Sequence, residues 1–168
     1  GTFILENEVI FGSEERLREV ISGLINTGNR IAVITTCVPA ILGEDIRSML
    51  AEYDVLLVDS PGFSGDVETG YHKALSLLAP QINAGADGVN IDGVCLLDPF
   101  YRGNLQEIRR LLGMASIPVA TVFCRDTLQK TCAAGTCTIG TNGDFSSSIG
   151  EYLGGTLGFG TLRATFEK

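Results

Sequence analysis

Apolar residues recur at helical spacing through positions 14–26: Leu17, Val20, Ile21, Leu24 and Ile25 fall at i, i+3, i+4, i+7 and i+8, one face of a 3.6-residue period. Ser13 stands where an N-cap belongs, and Thr27-Gly28-Asn29 supplies the stop. Residues 30–36 then form a short run rich in β-branched side chains, which predicts a buried strand. A helix starting after Cys37, either at Pro39 or at Gly43-Glu44-Asp45, follows and runs to Glu52. The alternation continues with strand 54–59 (DVLLVD), the turn-rich SPGFSG, helix 67–78, strand 88–94 and helix 103–112, where Leu105, Ile108, Leu111 and Leu112 share a face. Strand 117–123, helix 126–133, strand 137–141 and helix 145–157 complete it. Short apolar runs alternating with longer amphipathic ones predict βαβ units, hence an α/β fold with parallel sheets and flanking helices. At residues 81–87 (QINAGAD) small residues replace core formers, which predicts a first α/β unit over residues 1–86 and the start of a second over 87–168.

Composition acts mainly by exclusion. The 168 residues are 45% hydrophobic and 19% charged, enough to bury a core in one domain or two small ones. Lys and Arg number 12 against 20 Asp and Glu, a net charge of -8 without a basic cluster. Such a surface repels phosphate backbones and anionic lipids, so neither nucleic acid nor membrane is an expected partner. No apolar run approaches the roughly 20 residues of a transmembrane helix, and Gly1-Thr2-Phe3 lacks a signal-peptide pattern. The first residue is not methionine, which predicts an excised piece with residues missing upstream. The 5 cysteines, Cys37, Cys95, Cys124, Cys132 and Cys137, are odd in number, and reduced thiols in a cytoplasm are expected.

Candidate chemistry gathers at the carboxyl ends of the early strands, the edge that lines the functional crevice of open parallel sheets. In Thr35-Thr36-Cys37-Val38-Pro39 the sulfur stands at a helix start, where the helix dipole favours the thiolate form that binds metal or attacks electrophiles. The same position suits a small buried residue closing a strand, and position alone leaves both open. In Ser60-Pro61-Gly62-Phe63-Ser64-Gly65 the glycines let backbone approach a bound group and Pro61 stiffens the entry; equally, such a stretch is an ordinary turn. Neither GxxxxGK[ST] nor a GxGxxG opening a helix occurs. Cys132 and Cys137 lie among small residues without a histidine or third thiol, which favours packing over metal. Cys95 and Cys124 are expected in the core, His72 on the surface or at a cap, and Glu44 and Asp45 as first-turn acids satisfied by the helix dipole.

The segments VIFGSEERLREVI, VITTCVPAILGEDI, VDSPGFSGDVETG and VNIDGV resemble, in order and approximate spacing, those of nitrogenase component 1 chains and their relatives, the cofactor-assembly scaffolds and nitrogenase-like tetrapyrrole reductases. The resemblance covers nearly the whole chain, and TTC followed by GEDI is its most specific part. It implies Rossmann-like α/β domains and two homologous chains paired around an iron-sulfur cluster that an ATP-dependent iron-sulfur reductase protein supplies with electrons. Cys37 matches the cluster-ligating cysteine, with Thr36 beside it and Gly62 and Gly65 in the second cluster-side loop. The chemistry agrees, since such clusters are held by thiolates. One thiolate cannot hold a cluster, and the family's other ligands lie upstream and on the partner chain. This chain alone is therefore expected to carry no cofactor and to be inactive.

Departures from the family pattern narrow the reading. One chain type carries a serine ligand where Gly62 stands, which leans the match towards alpha-type and scaffold chains. Gly12-Ser13 replaces the family's paired glycines, an architectural rather than chemical segment. Members that hold a molybdenum-iron cofactor, or its precursor, use a second-domain cysteine where Asn142 stands here, which counts against nitrogen reduction and equally against the best-known scaffold. No residue is expected to be catalytic by acid/base chemistry, because cofactor and electron supply carry such reactions. The leading expectation is a fragment of a nitrogenase component 1-like oxidoreductase subunit that transfers electrons through an iron-sulfur cluster to a bound substrate or cofactor. A non-catalytic metallocluster-assembly scaffold of the same fold, a cluster-free small-molecule-binding α/β module and, more weakly, a thiol enzyme using Cys37 are the alternatives.

Overall fold

Short helices alternate with parallel strands along the chain in the computed structural model, which describes residues 6–145 and 156–158. Contacts divide the chain into two units, Gly1–Lys73 and Ala74–Lys168. Unit 1 begins with α1 (Glu6–Phe11), a helix the sequence pattern does not predict, and continues through α2 (Glu14–Ile25), β1 (Ile31–Ile34), α3 (Cys37–Leu42), α4 (Ile46–Met49) and β2 (Val55–Val58). The strands β1 and β2 pair in parallel, Ile31 opposite Val55 and Ile34 opposite Val58. Ile21, Ile46 and Leu50 are buried together, with Leu17, Ile31, Val33, Val55 and Leu57 packed against them.

Three expectations for this unit are corrected. Leu24 and Ile25 continue the helical period of α2, yet they are exposed, because the core they would join ends at Ile21. β1 is not buried on both faces: Ile31 and Val33 point inward, whereas Ala32 and Ile34 alternate outward, the geometry of a strand with one covered face. The single helix expected to start at Pro39 or at Gly43-Glu44-Asp45 and to run to Glu52 is two shorter ones: α3 starts at Cys37 itself and ends where Gly43 takes a left-handed conformation (φ 73°), and Asp45 then caps α4, which ends at Met49. One Asp45 carboxylate oxygen accepts the Ser48 N–H at 3.0 Å and the other its hydroxyl at 2.7 Å.

The helix α5 (Val67–Leu78) contains the division between units and runs into a 3-10 turn, Ala79–Gln81. Unit 2 then contributes β3 (Ala86–Asp92), α6 (Tyr101–Met114), β4 (Val119–Val122), α7 (Leu128–Cys132), β5 (Gly135–Gly140) and β6 (Thr156–Gly158). Its parallel sheet has 4 strands in the order β4-β3-β5-β6. Ile91, Val94, Leu105, Ile108, Leu112, Val122 and Ile139 form its core, joining the strand interiors to the apolar stripe of α6.

A fully buried amide ties the two central strands of this sheet. Asn90 of β3 donates through Nδ2 to the Gly135 carbonyl (2.8 Å) and to the Thr138 hydroxyl (3.1 Å), while its Oδ1 accepts the Gly135 N–H (2.7 Å). Gly135 is required there for lack of room: a Cβ would lie 2.0 Å from the Gly88 carbonyl oxygen.

Two sequence expectations fail in unit 2. Cys124 is exposed rather than in the core, because the chain turns just after β4, with Cys124 at φ 60° and the Asp126 carboxylate accepting the Val122 N–H at 2.9 Å. Of the expected helix 145–157, Phe145 lies in a turn, residues 146–155 lie outside the described residues, and Thr156–Gly158 is the strand β6, paired with β5 from Thr138 to Gly140.

Candidate functional site

The carboxyl ends of β1 and β2 bring two loops together in unit 1. β1 leads through Thr35 and Thr36 directly into α3, whose first residue is Cys37. Thr36 is its N-cap residue, extended (φ -112°, ψ -171°) and without a side-chain capping bond, so it acts here through its backbone. β2 leads through Asp59 into the second loop. There the Gly62 N–H donates to Cys37 Sγ at 3.1 Å, and a Cβ on Gly62 would stand 3.3 Å from that sulfur. The backbone can therefore face the thiol closely only while residue 62 lacks a side chain. An N–H donated to sulfur stabilises it as an electron-rich ligand, the interaction that tunes iron-sulfur centres.

Gly65 lies in the same loop but answers to a different neighbour. A Cβ there would come within 2.8 Å of the Thr69 side chain, where α5 begins. Asp66 caps that helix start, accepting the Thr69 N–H at 2.9 Å and its hydroxyl at 2.6 Å. These bonds hold the Asp66 carboxyl below its ordinary value. Ser64 folds back on the turn through its hydroxyl to the Pro61 carbonyl, 2.8 Å.

Sequence reasoning missed the residues that hold the two loops in register. Thr35, nearly buried, donates its hydroxyl to Asp59 Oδ1 at 2.6 Å and accepts the Ser60 N–H at 3.2 Å. Lys73 donates to the Asp59 carbonyl at 3.2 Å and lies 3.5 Å from the Ser64 hydroxyl. The available signal was a polar residue closing each apolar strand, Thr35 after β1 and Asp59 after β2. Glu44, expected as a first-turn acid satisfied by the helix dipole, is a brace: its carboxylate accepts the Ser13 N–H (2.5 Å) and hydroxyl (2.8 Å), and Ser13 makes no side-chain capping bond to α2.

A family model described as nitrogenase component 1 type oxidoreductase matches residues 2–166. The chain belongs to the nitrogenase component 1 type oxidoreductase family. Among its relatives, the nitrogenase molybdenum-iron protein beta chain of Bradyrhizobium diazoefficiens is 30% identical, the match covering 67% of this chain and 26% of that one. The nitrogenase iron-molybdenum cofactor biosynthesis protein NifE of Clostridium pasteurianum is also 30% identical, covering 60% of this chain and 24% of its own length. A solved nitrogenase Cp1 structure at pH 5 shares the fold, with a TM-score of 0.70 and 20% identity over 89% of this chain and 33% of that chain. The chain thus spans about a quarter of the length of these relatives. A beta chain and a biosynthesis protein match at equal identity.

Two groups implied by this family can be tested against the residues present. For an iron-sulfur cluster, Cys37 with the Gly62 N–H fits one corner: a thiol at a loop edge, with a donor aimed at the sulfur. Among the described residues no three His, Cys, Asp or Glu side chains come together as a metal site, so the remaining ligands would have to come from elsewhere. For a molybdenum-iron cofactor, Asn142 follows β5 and lines a cavity in unit 2 with Gly93, Cys95, Asp98, Asn104 and Glu107. That lining contains a single thiol and no Lys, Arg or His among the described residues, and it does not fit an anionic metal-sulfur group. Among the described residues no helix is long and apolar enough to cross a membrane.

Proposed function

We propose that this chain is part of a nitrogenase component 1-like oxidoreductase subunit and that Cys37 ligates an iron-sulfur cluster shared with a homologous partner subunit. The observation that carries the reading is the Gly62 N–H donated to Cys37 Sγ at 3.1 Å, with glycine at a position where a Cβ would stand 3.3 Å from the sulfur. Held by Cys37 and by ligands from outside the described residues, such a cluster would supply one-electron transfer between an ATP-dependent iron-sulfur reductase protein and a bound substrate or cofactor. The chain's own residues do three things: Cys37 supplies a thiolate, Gly62 supplies a backbone donor, and Thr35 with Asp59 fixes the spacing of their loops. Each loop also carries an exposed apolar residue directly after its site residue, Val38 after Cys37 and Phe63 after Gly62. Exposed apolar side chains bordering a half-assembled site suit an interface with a second subunit.

A metallocluster-assembly scaffold is the second reading, favoured by the match to NifE at the same identity as the beta chain; Asn142, standing where a thiol would hold the cofactor or its precursor, does not separate the two readings. Anaerobic iron-sulfide reconstitution of the longer protein with its partner tests the shared core of both. Cys37→Ala is expected to lower iron content and the visible thiolate-to-iron absorption; unchanged iron and absorption refute the ligand assignment. Transfer of a bound cluster to an acceptor protein would favour the scaffold, and reductive turnover of a small molecule the oxidoreductase.

A further inference from the structure

Unit 2 carries a cavity of about 330 Å3 of its own, lined by Gly93, Val94 and Cys95 after β3, Thr141 and Asn142 after β5, and the first turns of α6. Its place follows from the strand order β4-β3-β5-β6. From β3 the chain passes through α6 to β4 on one side, and from β5 it goes on to β6 on the other. The loops leaving β3 and β5 therefore diverge and open a crevice at the carboxyl edge, the switch point where open α/β sheets bind ligands. The volume is at the lower end of the range for small-molecule sites.

The lining specifies the chemistry. In many such folds the amides at the first helix's N-terminus receive a phosphate, but here Asp98 takes two of the amides leading into α6, those of Phe100 and Tyr101. Its Oδ1 accepts the Phe100 N–H at 2.8 Å, its backbone carbonyl accepts the Tyr101 N–H at 3.1 Å, and its Oδ2 accepts Asn104 Nδ2 at 3.1 Å. A carboxylate built into the anion position repels a second anion and leaves further lone pairs for a donor. Glu107, the other acid of the lining, is held by Arg110 through bonds of 2.6 and 2.8 Å, so among the described lining residues the uncompensated charge is that of Asp98. Val94, Leu105, Ile108 and the Tyr101 ring give the cavity an apolar side, and Asn104, Thr141 and Asn142 add uncharged polar groups.

We propose that the crevice between the carboxyl ends of β3 and β5 binds a compact organic molecule with an apolar body and a protonated amine, and that Asp98 makes it reject phosphates and carboxylates. The site lies wholly within unit 2 and does not depend on the assignment of Cys37.

Backbone amide spectra of the isotope-labelled full chain, titrated with 2-phenylethylamine, phenylacetate, inorganic phosphate or adenosine monophosphate, test this. The amine is expected to shift the amides of residues 93–101 and 141–142, while the three anions leave them in place. Asp98→Asn keeps the shape but loses the charge and is expected to weaken amine binding about tenfold, whereas Glu107→Gln stays within about twofold. Asn104→Trp, at an exposed position of α6, fills the mouth without entering the core and is expected to abolish the shifts. This variant carries the test if Asp98→Asn unfolds. Absence of amine-induced shifts, an equal or stronger response to any of the anions, amine affinity unchanged in a folded Asp98→Asn, or shifts that persist in Asn104→Trp would each overturn the proposal.

Discussion

Replacing Thr35 by valine should loosen both loops of the candidate site at once. Thr35 is 6% exposed, and its hydroxyl joins the ends of β1 and β2 by donating to Asp59 and accepting from Ser60. A hydroxyl-to-carboxylate bond is worth about 1.5–3 kcal/mol and a neutral one about 0.5–1.5 kcal/mol. Asp59 is exposed and regains water when released, which places its share at the lower end, and the added methyl of valine returns up to about 0.8 kcal/mol. A net loss of about 2 kcal/mol follows, equivalent to roughly thirtyfold faster opening of the segment. Hydrogen exchange followed by mass spectrometry reads it directly in peptides spanning residues 31–36 and 55–60 of the full chain. Thr35→Ser, which keeps the hydroxyl, separates the hydrogen bonds from packing and should lose less than about 1 kcal/mol. If Thr35→Val exchanges within about twofold of the unaltered chain, or if serine is as damaging as valine, the latch is not what holds the loops together.

Three further outcomes follow from the geometry. Gly62→Ala sets a methyl carbon 3.3 Å from Cys37 Sγ; because the loop is exposed, thermal stability should change by less than about 1 kcal/mol, while iron retained after anaerobic reconstitution falls. Asn90→Ala orphans the buried N–H and carbonyl of Gly135 and should cost about 3 kcal/mol or more in urea unfolding. Asp66 titrates below its ordinary value of 3.8 because it accepts the Thr69 hydroxyl and N–H. A carboxylate depressed in the folded state contributes stability that is present above its unfolded pKa and lost as pH falls through the folded one. Exchange at the start of α5 should therefore accelerate only below about pH 3.8, and Asp66→Asn should remove that dependence.

How much of this was legible beforehand depended on whether the deciding contact was local. The limits of α5, Val67–Leu78, were read in full because Asp66, Pro61 and the glycines before it stop the chain from being helical any earlier. The strand-to-helix junction at Cys37 was equally local. By contrast, β6 is a strand of 3 residues held by its partner β5, and a continued helical period over residues 145–157 could not reveal a neighbour so distant in sequence. Leu24 and Ile25 show a related limit: periodicity names the face of a helix and not the point at which the core beneath it ends. Gly62 and Cys37 are 25 residues apart, and nothing in either loop predicts that the amide of one points at the sulfur of the other. Only the resemblance to a family placed them side by side, and the structure supplies the distance.

The most specific stretch of that resemblance, TTC followed by GEDI, can now be divided by task. Cys37 carries the thiol proposed as ligand, while the carboxylates of Glu44 and Asp45 are taken by Ser13 and Ser48. Thr35 ties β1 to the second loop, and Thr36 carries the chain into α3 in extended form. Gly43 ends that helix after Leu42, Glu44 binds the hydroxyl and N–H of Ser13 at the start of α2, and Asp45 caps α4, whose first residue, Ile46, enters the core. A sulfur at the head of a helix of 6 residues gains little fixity from the helix itself, since so short a helix has no independent stability. Its position is set by what grips the helix at both ends: the Thr35–Asp59 latch on one side and the Gly43–Asp45 corner, braced on Ser13, on the other. The motif's polar residues are thus those that hold one thiol still, so an altered Thr35 or Glu44 should change cluster retention without removing any ligand.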